Sequence, residues 1–234
     1  MKMRHFAIMA GGLWLAAVNP ALAQSKPMVV VELYTSQGCS SCPPADEFMA
    51  ELVANPDVIA LALHVDYWDY IGWKDDFAHS AFTDRQKEYA RAIGSRTIYT
   101  PQMIVNGEER VEGHNPEAVN SMVQMQLMEP SVVSLMLQRE GDVLTIRASG
   151  EVANGPFSVN VVRYVPNETV SIERGENAGL TMEYHNIVTA FDTVGEWSGA
   201  GPLDMETTLT GEGPVAVFLQ SQGPGAIITA ARLD

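Results

Sequence analysis

The sequence predicts a two-part α/β chain: a layered half built on a mixed sheet, followed by an all-β, sandwich-like half. Three observations carry that prediction. Strand-like and helix-like segments alternate from Met28 to about Met128, and the helical period stops around Glu129-Pro130-Ser131. Short strand-like runs broken by Gly, Asn and Pro fill what remains. The boundaries fall at residues 24–130 and 131–234, behind a leader over residues 1–23.

Each element has a local reason. Met28 to Tyr34 is a nearly continuous apolar and β-branched run, as in a strand buried on both faces. Pro43 and Pro44 suit the first turn of a helix, where the missing N–H costs least. Ala45, Phe48, Met49, Leu52 and Val53 then give that helix one apolar face. Val58 to Val65 reads as a second buried strand. Thr83 followed by Gln86 has the capping-box spacing, so a helix is predicted from there to about Ile93, with Gly94 as its stop. Met103 to Val105 and Arg110 to Glu112 flank Asn106-Gly107, a hairpin signal, and Asn115-Pro116 opens a last helix. Beyond Ser131 the strand candidates are Val132–Gln138, Val143–Ala148, Phe157–Tyr164, Thr169–Glu173, Met182–Phe191, Met205–Leu209, Val215–Gln220 and Ala226–Ala231, a count that predicts a sandwich.

Composition narrows the function. With 46% hydrophobic and 18% charged residues in 234, the chain can bury a core. A formal charge of −15 sets most of its surface against phosphate backbones, so nucleic acid is not an expected partner. Lys2, Arg4 and His5, the apolar run from Phe6 to Val18 and then Ala21-Leu22-Ala23 have the order of a secretory signal cleaved after Ala23. A periplasmic or secreted location follows, and no later segment is long and apolar enough to span a bilayer. Thiols in such a compartment tend to oxidise.

The two cysteines occupy a telling position. Cys39-Ser40-Ser41-Cys42 follows the first strand and immediately precedes the Pro43 helix. Two intervening residues let the sulfurs reach one another, and a helix N-terminus stabilises a thiolate through its dipole and free N–H groups. The spacing encloses too small a loop for much entropic stabilisation, so a purely structural staple explains it poorly. Thr100-Pro101 lies between a helix and the Gln102 to Val105 strand.

On these residues the chain resembles the thioredoxin fold over 28–128. Cys39 matches the exposed nucleophilic cysteine, Cys42 the resolving cysteine and Pro101 the cis-proline facing them. A closer resemblance, to a family of secreted bacterial thioredoxin-like proteins known chiefly as a domain of unknown function, rests on Glu32 through Asp46, His64 through Asp69 and Tyr99 through Gln102. It extends into the β-rich half. The resemblance implies a thioredoxin-like domain over 24–130 and thiol-disulfide exchange with a protein substrate and an electron donor, with no cofactor. Cys39 must then be open to solvent. Gly38 and the Ser-Ser pair depart from thioredoxin itself, and the buried acid of that fold would fall near Glu32, one residue farther from the first cysteine than expected. Asp46 and Glu47 beside the cysteines oppose thiolate formation, so the pair is expected to be more reducing than strongly oxidising.

Asp66, Tyr67, Trp68 and Asp69 follow the second strand, at the sheet rim where ligands of open α/β sheets collect, and join Gly38 and Thr100 as candidate substrate-binding residues. Two other readings compete. Without exchange chemistry, the acidic-aromatic rim and the β-rich half would make a binding protein. Alternatively, paired thiolates hold Cu(I), but His64, His79, His114 and His185 show no ligand spacing and Met49 and Met103 sit at core-like positions, so no metal site is expected.

Overall fold

A computed structural model describes residues 28–234; the expected leader and its cleavage site lie outside the described residues. Eleven strands and three α-helices follow in the order β1 (Val29–Thr35), α1 (Pro43–Ala54), β2 (Val58–His64), α2 (Ser80–Ala92), β3 (Gln102–Val105), β4 (Glu109–Glu112), α3 (Pro116–Met128), β5 (Val133–Glu140), β6 (Val143–Gly150), β7 (Phe157–Ser171), β8 (Thr181–Trp197), β9 (Leu203–Thr208), β10 (Val215–Ser221) and β11 (Ile227–Leu233). Among the described residues no helix is long and apolar enough to cross a membrane.

Eight strands form one mixed sheet in the order β11-β10-β7-β8-β2-β1-β3-β4. At its centre β1 pairs in parallel with β2 over seven positions, Val29 opposite Val58 through Thr35 opposite His64. Side chains alternate across β1. Val29, Val31 and Leu33 pack with Phe48, Met49 and Leu52 of α1 and Val119 and Val123 of α3. Val30 and Tyr34 pack on the other face with Phe82 and Tyr89 of α2.

The β-rich half departs from the expectation of a self-contained sandwich. Four of its strands extend the sheet begun by β1, the junction being β8 laid parallel to β2 with Ala62 opposite Ile187. There the Asn186 side-chain N–H donates to the Ala60 carbonyl at 2.9 Å. The reason is an edge: with β1 on one side only, β2 would leave a row of backbone donors and acceptors unpaired. Only β5, β6 and β9 form a second sheet, and Leu135 and Ile146 from it share a cluster with Val159, Val217 and Trp197 of the large sheet. A second clip joins the halves where the Asn106 side chain donates to the Ile227 carbonyl at 3.0 Å.

Two local readings also change. The helix expected from Thr83 begins at Ser80, because the His79 ring accepts from Ala81 N–H and caps it. Thr83 and Gln86 are inside the helix and buried, turned toward neighbouring loops. The strands expected over 157–164 and 169–173 are one, β7, running through Pro166.

Candidate functional site

The carboxyl end of β1 delivers the chain into a tight turn in which Cys39 N–H donates to the Ser36 carbonyl at 3.1 Å and Cys42 N–H to the Cys39 carbonyl at 3.1 Å. Cys42 is the N-cap of α1, with prolines in its first turn. The two cysteines form a disulfide with their Cα atoms 5.4 Å apart. Across from them Ser41 Oγ donates to the Thr100 carbonyl at 3.4 Å, and the Thr100–Pro101 bond is cis. Cys39, Cys42, Thr100 and Pro101 therefore converge as the sequence predicts.

Cys39 is not the open cysteine expected of it. Both cysteines are fully buried, leaving Ser40 and Ser41 as the exposed part of the turn. Two segments do the covering. Trp68 lies over Gly38, where an added Cβ would meet the Trp68 Cβ at 3.2 Å, and its indole N–H donates to Thr100 Oγ1 at 2.8 Å. Opposite, the connection between β7 and β8 places buried Asn177 so that its side-chain amide donates to the carbonyls of Gln37 and Cys39, each at 2.9 Å. Trp73 links both covers, donating to Gln37 Oε1 at 2.7 Å and packing on Gly175.

Glu32 is misplaced for the role expected of it. Alternation along β1 turns it to the α2 face, away from α1 and Cys42. There Arg85 Nε and Nη2 donate to its two oxygens at 2.7 and 2.8 Å. The buried acid beneath the cysteines is instead Asp46, one helical turn after Cys42 on the inner stripe of α1. Thr35 Oγ1 donates to it at 2.7 Å. Burial pushes its carboxyl up from 3.8 to about 7, against the opposing pull of His64 and the Thr35 hydrogen bond. The signal was legible, since Asp46 falls among Cys42, Ala45 and Met49, positions three and four apart that one helix face buries.

A second buried acid sits nearby. Asp75 Oδ2 lies 2.7 Å from His64 Nδ1 and accepts from Gln37 N–H at 2.8 Å. Burial raises the Asp75 carboxyl, but His64 and these hydrogen bonds outweigh it and leave it below the usual aspartate range. His64 Nε2 and Gln37 Nε2 are buried without a hydrogen-bond partner among the described residues.

The acidic-aromatic cluster divides its labour. Trp68 covers the cysteine turn, whereas Asp66 Oδ1 accepts from Thr83 Oγ1 at 2.6 Å and the Tyr67 hydroxyl donates to Gln86 Oε1 at 3.2 Å, tying this loop to α2. Burial pushes the Tyr67 hydroxyl up to about 12. Asp69 accepts from Asp75 N–H at 3.2 Å and so shapes the following turn. Among the described residues no group of three or more His, Cys, Asp or Glu side chains converges to hold a metal, which leaves the copper reading without a third ligand from these types. Asn177, 138 residues beyond Cys39, carried no local signal at all.

Comparison with known proteins places this arrangement. An X-ray crystal structure of an Agrobacterium tumefaciens protein is 35% identical, covers 90% of this chain and 96% of its own, and superposes with a TM-score of 0.78. HBP35 of Porphyromonas gingivalis shares the fold at 16% identity, with a TM-score of 0.63 over 89% of this chain and 75% of its own. No curated protein matches. The family model described as "Protein of unknown function (DUF1223)" matches residues 30–220, nearly the whole of the sheet and its helices, and the chain belongs to that family.

Proposed function

We propose that the chain is an extracytoplasmic, thioredoxin-like thiol-disulfide oxidoreductase whose reactive pair is Cys39 and Cys42. The observation that carries the reading is the disulfide at the mouth of α1 with a protonatable buried acid, Asp46, one turn below Cys42. In the reduced chain the Cys39 thiolate attacks a partner disulfide, forming a mixed disulfide and expelling one partner thiolate. Asp46 takes the Cys42 proton, the Cys42 thiolate attacks the Cys39 sulfur, and the second partner thiolate leaves. Two electrons pass to the partner, and an external dithiol must return them. Thr100, Pro101, Gly38 and Trp68 flank the cysteine turn and would line the docking groove once the Asn177 cover lifts.

The direction of exchange follows from charge. A strong oxidant needs a specially stabilised thiolate, whereas exposed Glu47 stands close after this pair and Asp46 adds its own negative charge once it ionises at about 7. The potential is therefore expected well below the ~−120 mV of the strongest oxidants. A second reading has its own observation: the sealed Cys39 favours a non-catalytic binding protein. Differential alkylation of the reduced, folded chain separates the two. Exchange requires Cys39 to alkylate faster than Cys42 and Cys42→Ala to accumulate mixed disulfides; two unreactive thiols in the folded chain would leave only the binding reading.

A further inference from the structure

On the face of the large sheet away from α1, a cavity of about 670 Å³ opens between α2 and the strands β7, β8 and β10. That volume suits a small-molecule site. Its floor is polar: Asn160 and Gln220 are buried there, and the Asn160 amide donates to Gln220 Oε1 at 3.3 Å. Thr193 Oγ1 donates to Asn160 Oδ1 at 2.8 Å.

At the inner end stands Arg85, held from several sides. Glu32 accepts from Nε and Nη2, Nη2 also lies 3.0 Å from both the Tyr89 hydroxyl and Gln220 Oε1, and the Phe191 ring lies 4.2 Å from the guanidinium carbon. Glu32 in turn accepts from the hydroxyls of Tyr34 at 3.0 Å and Tyr89 at 2.7 Å. Nη1 alone has no protein acceptor among the described residues, and the side chain, 11% exposed, borders the cavity. Such a buried polar network stabilises a fold no better than apolar packing of similar volume would. What it achieves here is a guanidinium fixed in place, with Nε and Nη2 engaged and Nη1 alone left to donate a charge-assisted hydrogen bond to a ligand in the cavity.

Charge selects the occupant. Glu32 already cancels the Arg85 charge, and the rim carries Glu88, Arg91 and Glu196, so the cavity has no excess of positive charge to hold a bare polyanion. Glu88 makes no ion pair among the described residues. It lies three positions from Arg85 on α2, a Cβ separation of about 5–6 Å. The termini of a dipeptide span at most about 7 Å. We propose that this cavity binds a short zwitterionic peptide, its carboxylate accepting from Arg85 Nη1 and its ammonium at Glu88.

The proposal stands apart from the cysteine chemistry and is tested on the oxidised full chain by calorimetric titration with dialanine, N-acetyl-dialanine and dialanine amide. Dialanine is expected to bind, with each capped form weaker by at least about tenfold, a loss of roughly 1.4 kcal/mol. Glu88→Gln, an exposed change, should weaken dialanine about fivefold or more and leave the N-acetyl form unaffected. Ser158→Trp, which narrows the cavity, should weaken dialanine at least about tenfold while the circular dichroism spectrum stays that of the parent. Equal binding of all three probes, undiminished binding in Ser158→Trp, or no heat up to ~10 mM dialanine, where even a millimolar site would be filled, each overturns the proposal.

Discussion

Asp46→Asn should make the protein more stable, and by an amount that depends on pH. The folded state holds the Asp46 carboxyl near 7 against an ordinary 3.8, because burial penalises its charge. Between those values the folded chain binds a proton that the unfolded chain has released. Stability is therefore lost as pH rises from about 4 to about 7 and stays lost above. The shift of about three units corresponds to roughly 4 kcal/mol. Asparagine keeps an oxygen to accept from Thr35 Oγ1 and removes the titration, though its new N–H groups cost about 1–3 kcal/mol if they find no acceptor. The decisive quantity is thus the difference between variant and parent across pH, in which that fixed cost cancels. Urea denaturation of both oxidised chains at several pH values between about 4 and 8 should show the variant gaining roughly 4 kcal/mol over the range, or about 8–16 °C in Tm. Parallel pH profiles would refute the assignment of a buried, neutralised acid beneath the cysteines.

Other perturbations follow from the same contacts. Asn177→Ala removes both hydrogen bonds to the cysteine turn, and at about 1 kcal/mol each the disulfide should be reduced by dithiothreitol roughly 10- to 30-fold faster; an unchanged rate would mean that Asn177 does not control access. Arg85→Met leaves the Glu32 carboxylate buried without its cation and should cost about 3–5 kcal/mol in urea denaturation. Adding Glu32→Gln should recover part of that loss, and a double variant no better than the single one would contradict the pairing. Gly107→Ala drives a Cβ into the Gly225 carbonyl oxygen at a φ of +80°, so a loss of about 1–3 kcal/mol is expected by the same assay.

What could be read from the sequence is what neighbouring residues decide. The Pro43-Pro44 start of α1, the Asn115 cap of α3 and the Asn106-Gly107 turn are fixed within a few residues, and all appear where local chemistry puts them. The cysteine turn and its approach to Thr100 were legible for the same reason. Long-range pairing was not. Nothing near Ile187 says that its strand will lie beside β2 rather than inside a separate sandwich, because either arrangement satisfies the same alternation of buried and exposed side chains. Glu32 shows the limit in one residue: its burial could be inferred from the apolar run around it, but a register difference of one decides which face of the sheet it serves. The Asn177 cover depends on that same distant pairing, so the closure of Cys39 was beyond local reasoning.

The seam between β2 and β8 also bears on how the molecule comes into being. A ribosome delivers residues 58–64 early, yet the strand that completes their outer edge arrives more than a hundred residues later, around Ile187. Until then the nascent chain displays an apolar ribbon with one flank bare, the kind of surface that recruits holdase chaperones or stray strands. Synthesis halted near residue 130 would yield a fragment that lacks its own last neighbour, and it should clump rather than persist as a small independent unit.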